Sequence, residues 1–195
     1  MGGVRTIVWA LRRARLSERG FSLVEVLIAI TILLVALMAL AHLAAMSTGA
    51  NTSARITTNA SILAAQKMEQ LHALAWGFDA HGQPLSDTTT DLTTSPPTAG
   101  QGVGLSPAPG GVLTANTPGY CDFLDASGRT LAGAGSTPAG TIFIRRWSVN
   151  PLAQDSDHTL VFQVLVTRVD GGTARSTRRL PDEARMTAVK TRTAS

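Results

Sequence analysis

A long run without charged residues dominates the amino-terminal third of this 195-residue chain. From Val26 to Ala54 there is no Asp, Glu, Lys or Arg, and the part from Val26 to about Met46 is apolar except for Thr31 and His42. About 20 such residues cross the hydrocarbon of a bilayer as an α-helix. The run therefore predicts one membrane-spanning helix.

One carboxylate stands immediately before this run. Glu25 is the only acidic or basic residue between Phe21 and Ala54. A charge near the centre of a membrane helix costs about 2.5 to 3.5 kcal/mol on insertion scales, so an acidic residue at its edge needs a partner or a position near the headgroups. Glu25 is therefore a candidate functional residue. The competing interpretation is a plain signal anchor whose first turn happens to carry a Glu.

The residues before the run are basic. Residues 1–20 hold five arginines and one glutamate, which leaves 12 basic and 12 acidic residues in the rest of the chain. The amino-terminal segment thus carries the whole net charge of +4, and the positive-inside rule places it in the cytoplasm. The pI of about 10.2 is consequently poor support for nucleic-acid binding. A secretory signal peptide fits less well, because its apolar region would be too long.

The sequence Gly-Phe-Ser-Leu-Val-Glu-Val-Leu-Ile-Ala, which begins at Gly20, resembles the start of type IV pilins and type II secretion pseudopilins. The similarity extends over residues 19 to about 76. It implies that a prepilin peptidase removes residues 1–20 by cutting after Gly20, and that the new amino group of Phe21 is then methylated. It also implies that the carboxylate of Glu25 meets the amino terminus of a neighbouring subunit during assembly.

The helical pattern continues beyond the membrane segment. One apolar stripe follows at helical spacing, formed by Ile56, Ala60, Leu63, Ala64, Met68, Leu71 and Ala75. We therefore expect one helix over about residues 21–76, membrane-spanning to about residue 46 and amphipathic afterwards, with a length on the order of 80 Å. Many major pilins bend this helix at a Pro, but this chain has none before Pro84.

Composition changes at Gly77. Residues 77–140 hold 12 of the 18 Gly and seven of the nine Pro, with many Thr and Ser. This segment predicts a long variable loop with too little apolar surface to order itself, apart from one short strand near Tyr120 to Leu124. Gly102 and Gly104 are not part of a phosphate-binding loop, because no Gly-Lys-Ser or Gly-Lys-Thr follows them.

The carboxy-terminal region, residues 141–195, alternates apolar and polar residues in the manner of strands. Strands are predicted from Ile142 to Val149 and from Leu160 to Val169. A turn at residues 170–172 then leads to a strand from about Thr173 to Arg179, and a last strand is predicted around Met186 to Thr191. The fold class expected is therefore α+β: a long amino-terminal helix packed against a small carboxy-terminal antiparallel sheet, as in pilins.

Other chemistry has weaker support in the sequence. No HExxH or GxSxG motif occurs, and His72, His81 and His158 stand apart from any nucleophile, so no enzyme, catalytic residue, metal or cofactor is expected. Asp155 and Asp157 lack the Gly and Glu that would complete a calcium loop, and a turn explains them better.

Two features of the soluble part leave alternatives open. Cys121 is the only cysteine, so it is either buried or available for an intermolecular bridge. A solvated strand face is preferred over a DNA-binding patch for a group of sheet-region arginines, since aromatic residues that stack on bases are scarce. These arginines are Arg145, Arg146, Arg168, Arg175, Arg178 and Arg179.

These observations favour a non-enzymatic minor subunit of a type IV pilus. It would be anchored in the bacterial inner membrane, with its amino terminus in the cytoplasm and its carboxy-terminal domain in the periplasm, before it enters the filament. Its expected partners are the prepilin peptidase and methyltransferase, the inner membrane, and other pilin or pseudopilin subunits that contact its helix. The alternatives are a pseudopilin of a type II secretion system and a membrane-anchored periplasmic binding module or adhesin that never assembles.

Overall fold

The computed structural model describes residues 20–132, 136–169 and 183–192. The chain divides into two compact units, Met1–Ser47 and Thr48–Ser195, and each is described by itself. The helix and strands of the described residues are α1 (Leu23–Ala73), β1 (Trp76–Phe78), β2 (Pro84–Ser86), β3 (Cys121–Leu124), β4 (Thr130–Leu131), β5 (Phe143–Leu152), β6 (Asp155–Arg168) and β7 (Glu183–Thr191).

The described part of the first unit, residues 20–47, is almost entirely the beginning of α1. A hydrogen bond from the backbone N–H of Val26 to the carbonyl of Ser22 (3.2 Å) starts the helical pattern. Within α1 an 18-residue window reaches a mean hydropathy of 2.9, and none of it is buried. By length and composition, this helix can cross a membrane.

The second unit packs the rest of α1 against a five-stranded antiparallel sheet with the order β4-β3-β5-β6-β7. The apolar stripe of α1 is buried as its spacing predicts, at Ala60, Leu63, Ala64, Met68 and Leu71. It meets alternate residues of the two central strands, which are Trp147 and Val149 on β5 and Leu160, Phe162, Val164 and Val166 on β6. The predicted α+β fold is therefore confirmed.

The sheet agrees with most of the predicted strands. The strands β5 and β6 form an antiparallel pair with an irregularity at Pro151/Leu152, and β7 pairs with β6 in the register Val164↔Met186. The predicted turn at residues 170–172 and the predicted strand over residues 173–179 lie outside the described residues. The helix α1 ends at Ala73, short of the expected Trp76, because Trp76 begins a hairpin in which it pairs with Ser86.

Residues 77–140 have more order than their composition predicted. Besides the expected strand, here β3, they contain the hairpin β1–β2 and bury Leu92, Leu105 and Val112 in the core. The segment around Gly102 lies directly against the segment around Thr90, with backbone hydrogen bonds from Gly102 N–H to the Thr89 carbonyl (2.8 Å) and from Gly104 N–H to the Thr90 carbonyl (2.9 Å). Glycine, which has no Cβ, lets these two backbone segments approach closely. Their hydrogen bonds help to order a region that has few apolar side chains.

Two basic side chains, Lys190 of β7 and Arg192 just after it, contact the end of α1 and the strand β1. The ammonium of Lys190 donates to the carbonyls of His72 (2.7 Å) and Leu74, which are among the unpaired acceptors of a helix carboxyl terminus. The guanidinium of Arg192 lies 3.6 Å from the ring centroid of Trp76 and donates to the carbonyl of Gly77 (2.8 Å). These contacts fix β7 to the helix end and to β1.

Candidate processing and assembly site

The predicted cleavage junction lies just before the helix. Gly20 and Phe21 are both exposed and precede the first residue of α1, Leu23. Nothing lies within 4 Å of the position that a Cβ on Gly20 would occupy, and the Phe21 side chain is 80% exposed. The peptide bond between these two residues is therefore outside the helical hydrogen-bond ladder and open to another molecule.

Glu25 lies in the first turn of α1 and is exposed. The partial positive charge of a helix amino terminus favours a carboxylate there by about 0.3 to 1 kcal/mol. Among the residues that the structure describes, Glu25 has no ion-pair partner. The helix therefore supplies a weak interaction and leaves the carboxylate open to a positive group from another chain.

Comparison with known proteins identifies this same segment. Residues 15–41 match the family model of the prokaryotic N-terminal methylation motif, a match that includes Gly20, Phe21 and Glu25. No curated protein and no solved structure matches the chain. The match is to a prepilin-type motif and indicates a type IV pilin-like or pseudopilin protein, in agreement with the resemblance seen in the sequence.

The motif also indicates how such a chain is processed and where it is anchored. It implies processing by a prepilin peptidase and assembly with other pilins. Together with the one apolar helix that the described residues contain, it fits anchoring in the inner membrane.

A buried ion cluster in the second unit was not foreseen from the sequence. Lys67 on α1, Asp122 on β3 and Arg145 on β5 have relative exposures of 0%, 2% and 2%. Arg145 binds the Asp122 carboxylate with two nitrogens, at 3.0 Å from Nε and 2.7 Å from Nη2, and Lys67 Nζ lies 2.9 Å from Asp122 Oδ2. One carboxylate therefore pairs with two cations, and the three side chains come from three different elements.

Backbone and aromatic groups complete this cluster. Lys67 donates to the carbonyl of Leu92 (2.5 Å) and lies 4.3 Å from the ring centroid of Trp147, while Arg145 donates to the carbonyl of Leu63 (2.9 Å). Burial lowers the pKa of Lys67 from 10.5 to about 8, against the opposing effect of the Asp122 carboxylate. The signal in the sequence was a lysine within the apolar stripe, four residues from both Leu63 and Leu71.

The sheet-region arginines, for which a DNA-binding patch was the less favoured interpretation, are not gathered on one surface among the described residues. Arg145 is occupied in the buried cluster, and Arg146 is half-buried with two bonds to Asn116 Oδ1, at 3.1 and 2.7 Å. Arg168 is exposed, whereas the other three predicted members lie outside the described residues. Two arginines of the proposed patch therefore serve packing within the domain.

The remaining polar candidates have local partners. Cys121 is buried, which raises the pKa of its thiol. The His72 ring packs edge-on against Phe162, with centroids 5.3 Å apart. His158 Nδ1 lies 3.0 Å from Asp155 Oδ1 near the turn between β5 and β6. Within the described ranges, no group of three His, Cys, Asp or Glu side chains is arranged to hold a metal ion.

Proposed function

We propose that this chain is a minor type IV pilin-like structural subunit, cleaved after Gly20, methylated on Phe21, and assembled into a type IV pilus or active in starting its assembly. The observation that carries the proposal is the match to the methylation motif over residues 15–41, which contains an exposed Gly20–Phe21 junction directly before an apolar helix. The proposal includes no catalytic activity.

The mechanism proposed for assembly is structural. The apolar part of α1 resides in the membrane, and packs against the same part of other subunits when it leaves the bilayer. Van der Waals packing among these helices provides most of the cohesion. The Glu25 carboxylate pairs with the amino terminus of a neighbouring subunit, which sets the vertical register of the two helices.

The minor role is supported by two departures from many major pilins. The chain has a single cysteine, so it lacks an intramolecular disulfide, and no Pro interrupts the helix. The Gly- and Pro-rich composition of residues 77–140 gives little further support for a minor role, because this region contributes Leu92 and Leu105 to the core. Assignment to a minor position therefore rests mainly on the cysteine and on the uninterrupted helix.

Intact-mass analysis of the protein from cells that carry a pilus system tests the processing step. We expect loss of residues 1–20 and the addition of one methyl group on Phe21. Gly20→Val should accumulate as full-length precursor, while the matched change Gly49→Val, beyond the match to the methylation motif, should be processed normally. An intact amino terminus in the wild-type protein would contradict the proposal and favour an anchored binding module that does not assemble.

Quantification of subunits in sheared, purified filaments tests the minor assignment separately. We expect this chain at low copy number, and we expect its deletion to reduce filament number. If it is the most abundant subunit, the minor role is refuted although the processing remains. If deletion abolishes secretion of folded proteins and leaves filaments intact, the type II secretion pseudopilin is the correct alternative.

A further inference from the structure

A groove of about 340 Å³ lies on the second unit, beside β5. We name it the donor groove; it is lined by residues 108–114 together with Ser148, Asn150, Gln163 and Arg185. Trp147, Val149, Val164 and Met186 belong to the core that contains α1. Because side chains alternate along a strand, the four polar residues lie on the opposite face of the sheet.

Ser148 is the strongest indication that the groove is a binding site. Its relative exposure is only 3%, and its hydroxyl has no hydrogen-bond partner among the described residues. Buried polar groups are paired in the great majority of cases, so an unpaired one requires an explanation. Ser148 is among the residues that line the groove, so a bound ligand would lie beside this unpaired hydroxyl.

The loop over the groove supplies further donors. Within the part of the chain that the structure describes, the backbone N–H groups of Gly110, Gly111, Val112 and Leu113 donate no hydrogen bond. Gly111 has a φ of +83°, whereas the residues on both sides of it do not have positive φ. These N–H groups belong to residues that line the groove, and unpaired backbone N–H groups are suitable donors to an anion.

The charge of the groove has one sign. Its lining contains Arg185 and no carboxylate, and Arg185 is exposed and forms no ion pair with a described residue. Arg146 lies on the same sheet face, since both arginines pair in register with Leu165. Glu183, two residues before Arg185, is exposed and does not line the groove.

We propose that the donor groove binds a small carboxylate ligand that also bears hydroxyl groups, the chemistry of a sugar acid. One available guanidinium and several neutral N–H donors match a single negative charge. The amides of Asn150 and Gln163 and the hydroxyl of Ser148 can both donate to and accept from ligand hydroxyls. A volume of about 340 Å³ lies within the range of small-ligand sites.

The test is a titration of the ¹⁵N-labelled full-length chain in detergent micelles, followed by NMR. D-glucuronate is the probe, D-glucose is the uncharged control and inorganic phosphate is the control for charge alone, all at matched ionic strength. We expect glucuronate to produce saturable shifts of the amides at residues 110–113. Arg185→Gln should weaken binding about tenfold or more, whereas Arg55→Gln, an equal charge change on an exposed part of α1, should not alter it.

Ser148→Ala separates binding from folding. It removes a buried hydroxyl that has no partner, so the fold should be retained while glucuronate binds more weakly. The proposal is overturned if glucose and glucuronate shift the same amides equally, or if only phosphate saturates. It is also overturned if Arg185→Gln, with an unchanged spectrum elsewhere, binds glucuronate as tightly as the wild type does.

Discussion

The substitution Asp122→Asn tests what holds the second unit together. Among the described residues, Asp122 is the only carboxylate within salt-bridge distance of two buried cations, Lys67 and Arg145, and all three residues have relative exposures of 2% or less. Asparagine has nearly the same shape and keeps one oxygen, but it removes the negative charge. The cluster then contains two positive groups without a counter-charge.

The size of the expected loss of stability follows from the positive charges that remain buried. Removal of one partner of a buried ion pair costs about 3 to 5 kcal/mol, because the other charge is left uncompensated. A domain of this kind has a total free energy of unfolding of about 5 to 15 kcal/mol. Asp122→Asn should therefore remove a large fraction of the stability of the second unit.

Lys67→Met is the informative comparison. It leaves the carbonyl of Leu92 without its donor, at a cost of about 1 to 3 kcal/mol, but it preserves the neutral pair of Asp122 and Arg145. It also removes a charge that burial disfavours: the lowering of the Lys67 pKa from 10.5 to about 8 corresponds to about 3 kcal/mol. These effects oppose each other, so Lys67→Met should lie within about 1.5 kcal/mol of the wild type.

The pH dependence has a defined sign. Between about pH 8 and pH 10.5, Lys67 is deprotonated in the folded chain and protonated in the unfolded chain. The unfolded state then binds more protons, so the contribution of Lys67 to the free energy of unfolding rises with pH across this window and is least favourable below about pH 8. The difference between wild type and Lys67→Met isolates this effect from the titration of Lys190, Cys121 and Tyr120.

Urea unfolding of the full-length chain in mild detergent is a suitable assay, with fluorescence of Trp147, which lies beside Lys67, as the signal. Asp157→Asn, an exposed aspartate, is the matched control and should change stability by less than about 0.5 kcal/mol. The reasoning is refuted if Asp122→Asn costs less than about 1 kcal/mol, or if Lys67→Met is as destabilising as Asp122→Asn.

Two further predictions address the backbone and the assembly motif. Gly102→Ala should destabilise the second unit by about 3 kcal/mol or more, because its Cβ would lie 2.2 Å from the Asp91 Cα, and urea unfolding measures this loss. The control is Gly49→Ala, which has open space around it and should stabilise the helix by up to about 1 kcal/mol. Wild-type stability in Gly102→Ala would contradict that packing. Glu25→Val should be inserted and cleaved but should enter filaments poorly, whereas Glu69→Gln, at an exposed site of α1, should enter normally. Immunoblots of membrane and sheared-filament fractions measure both variants. Equal incorporation would show that the Glu25 carboxylate is dispensable.

The helix and its two parts, an apolar membrane-length part and an amphipathic part, could be predicted because both depend on local periodicity. An apolar run of membrane length needs no tertiary information, and the stripe from Ala60 to Leu71 follows the 3.6-residue period of a helix. Alternation likewise located β5, β6 and β7. The predicted end of α1 at Trp76 was too far along the chain, because Trp76 pairs in a hairpin with Ser86, ten positions away.

The internal order of residues 77–140 could not be derived from composition. It depends on contacts between distant segments, such as the approach of Gly102 to Asp91 and the burial of Leu105, and on side-chain bonds such as those from Thr90 to Asp87. The ion cluster was missed for the same reason. Lys67 and Asp122 each look like a local irregularity in an apolar pattern, and only the tertiary fold shows that they are partners.

The exposed apolar part of α1 explains why the proposed assembly depends on a single charge. None of the most apolar window is buried within the chain, so the bilayer or other subunits must cover it. Lipid tails and neighbouring apolar helices are similar environments, and transfer between them gains little from the hydrophobic effect. Glu25 distinguishes the two environments, because its carboxylate is costly in hydrocarbon and gains an ion pair beside an amino terminus. In the proposed assembly, the apolar residues would therefore provide cohesion, whereas Glu25 would determine where each helix stops relative to its neighbour.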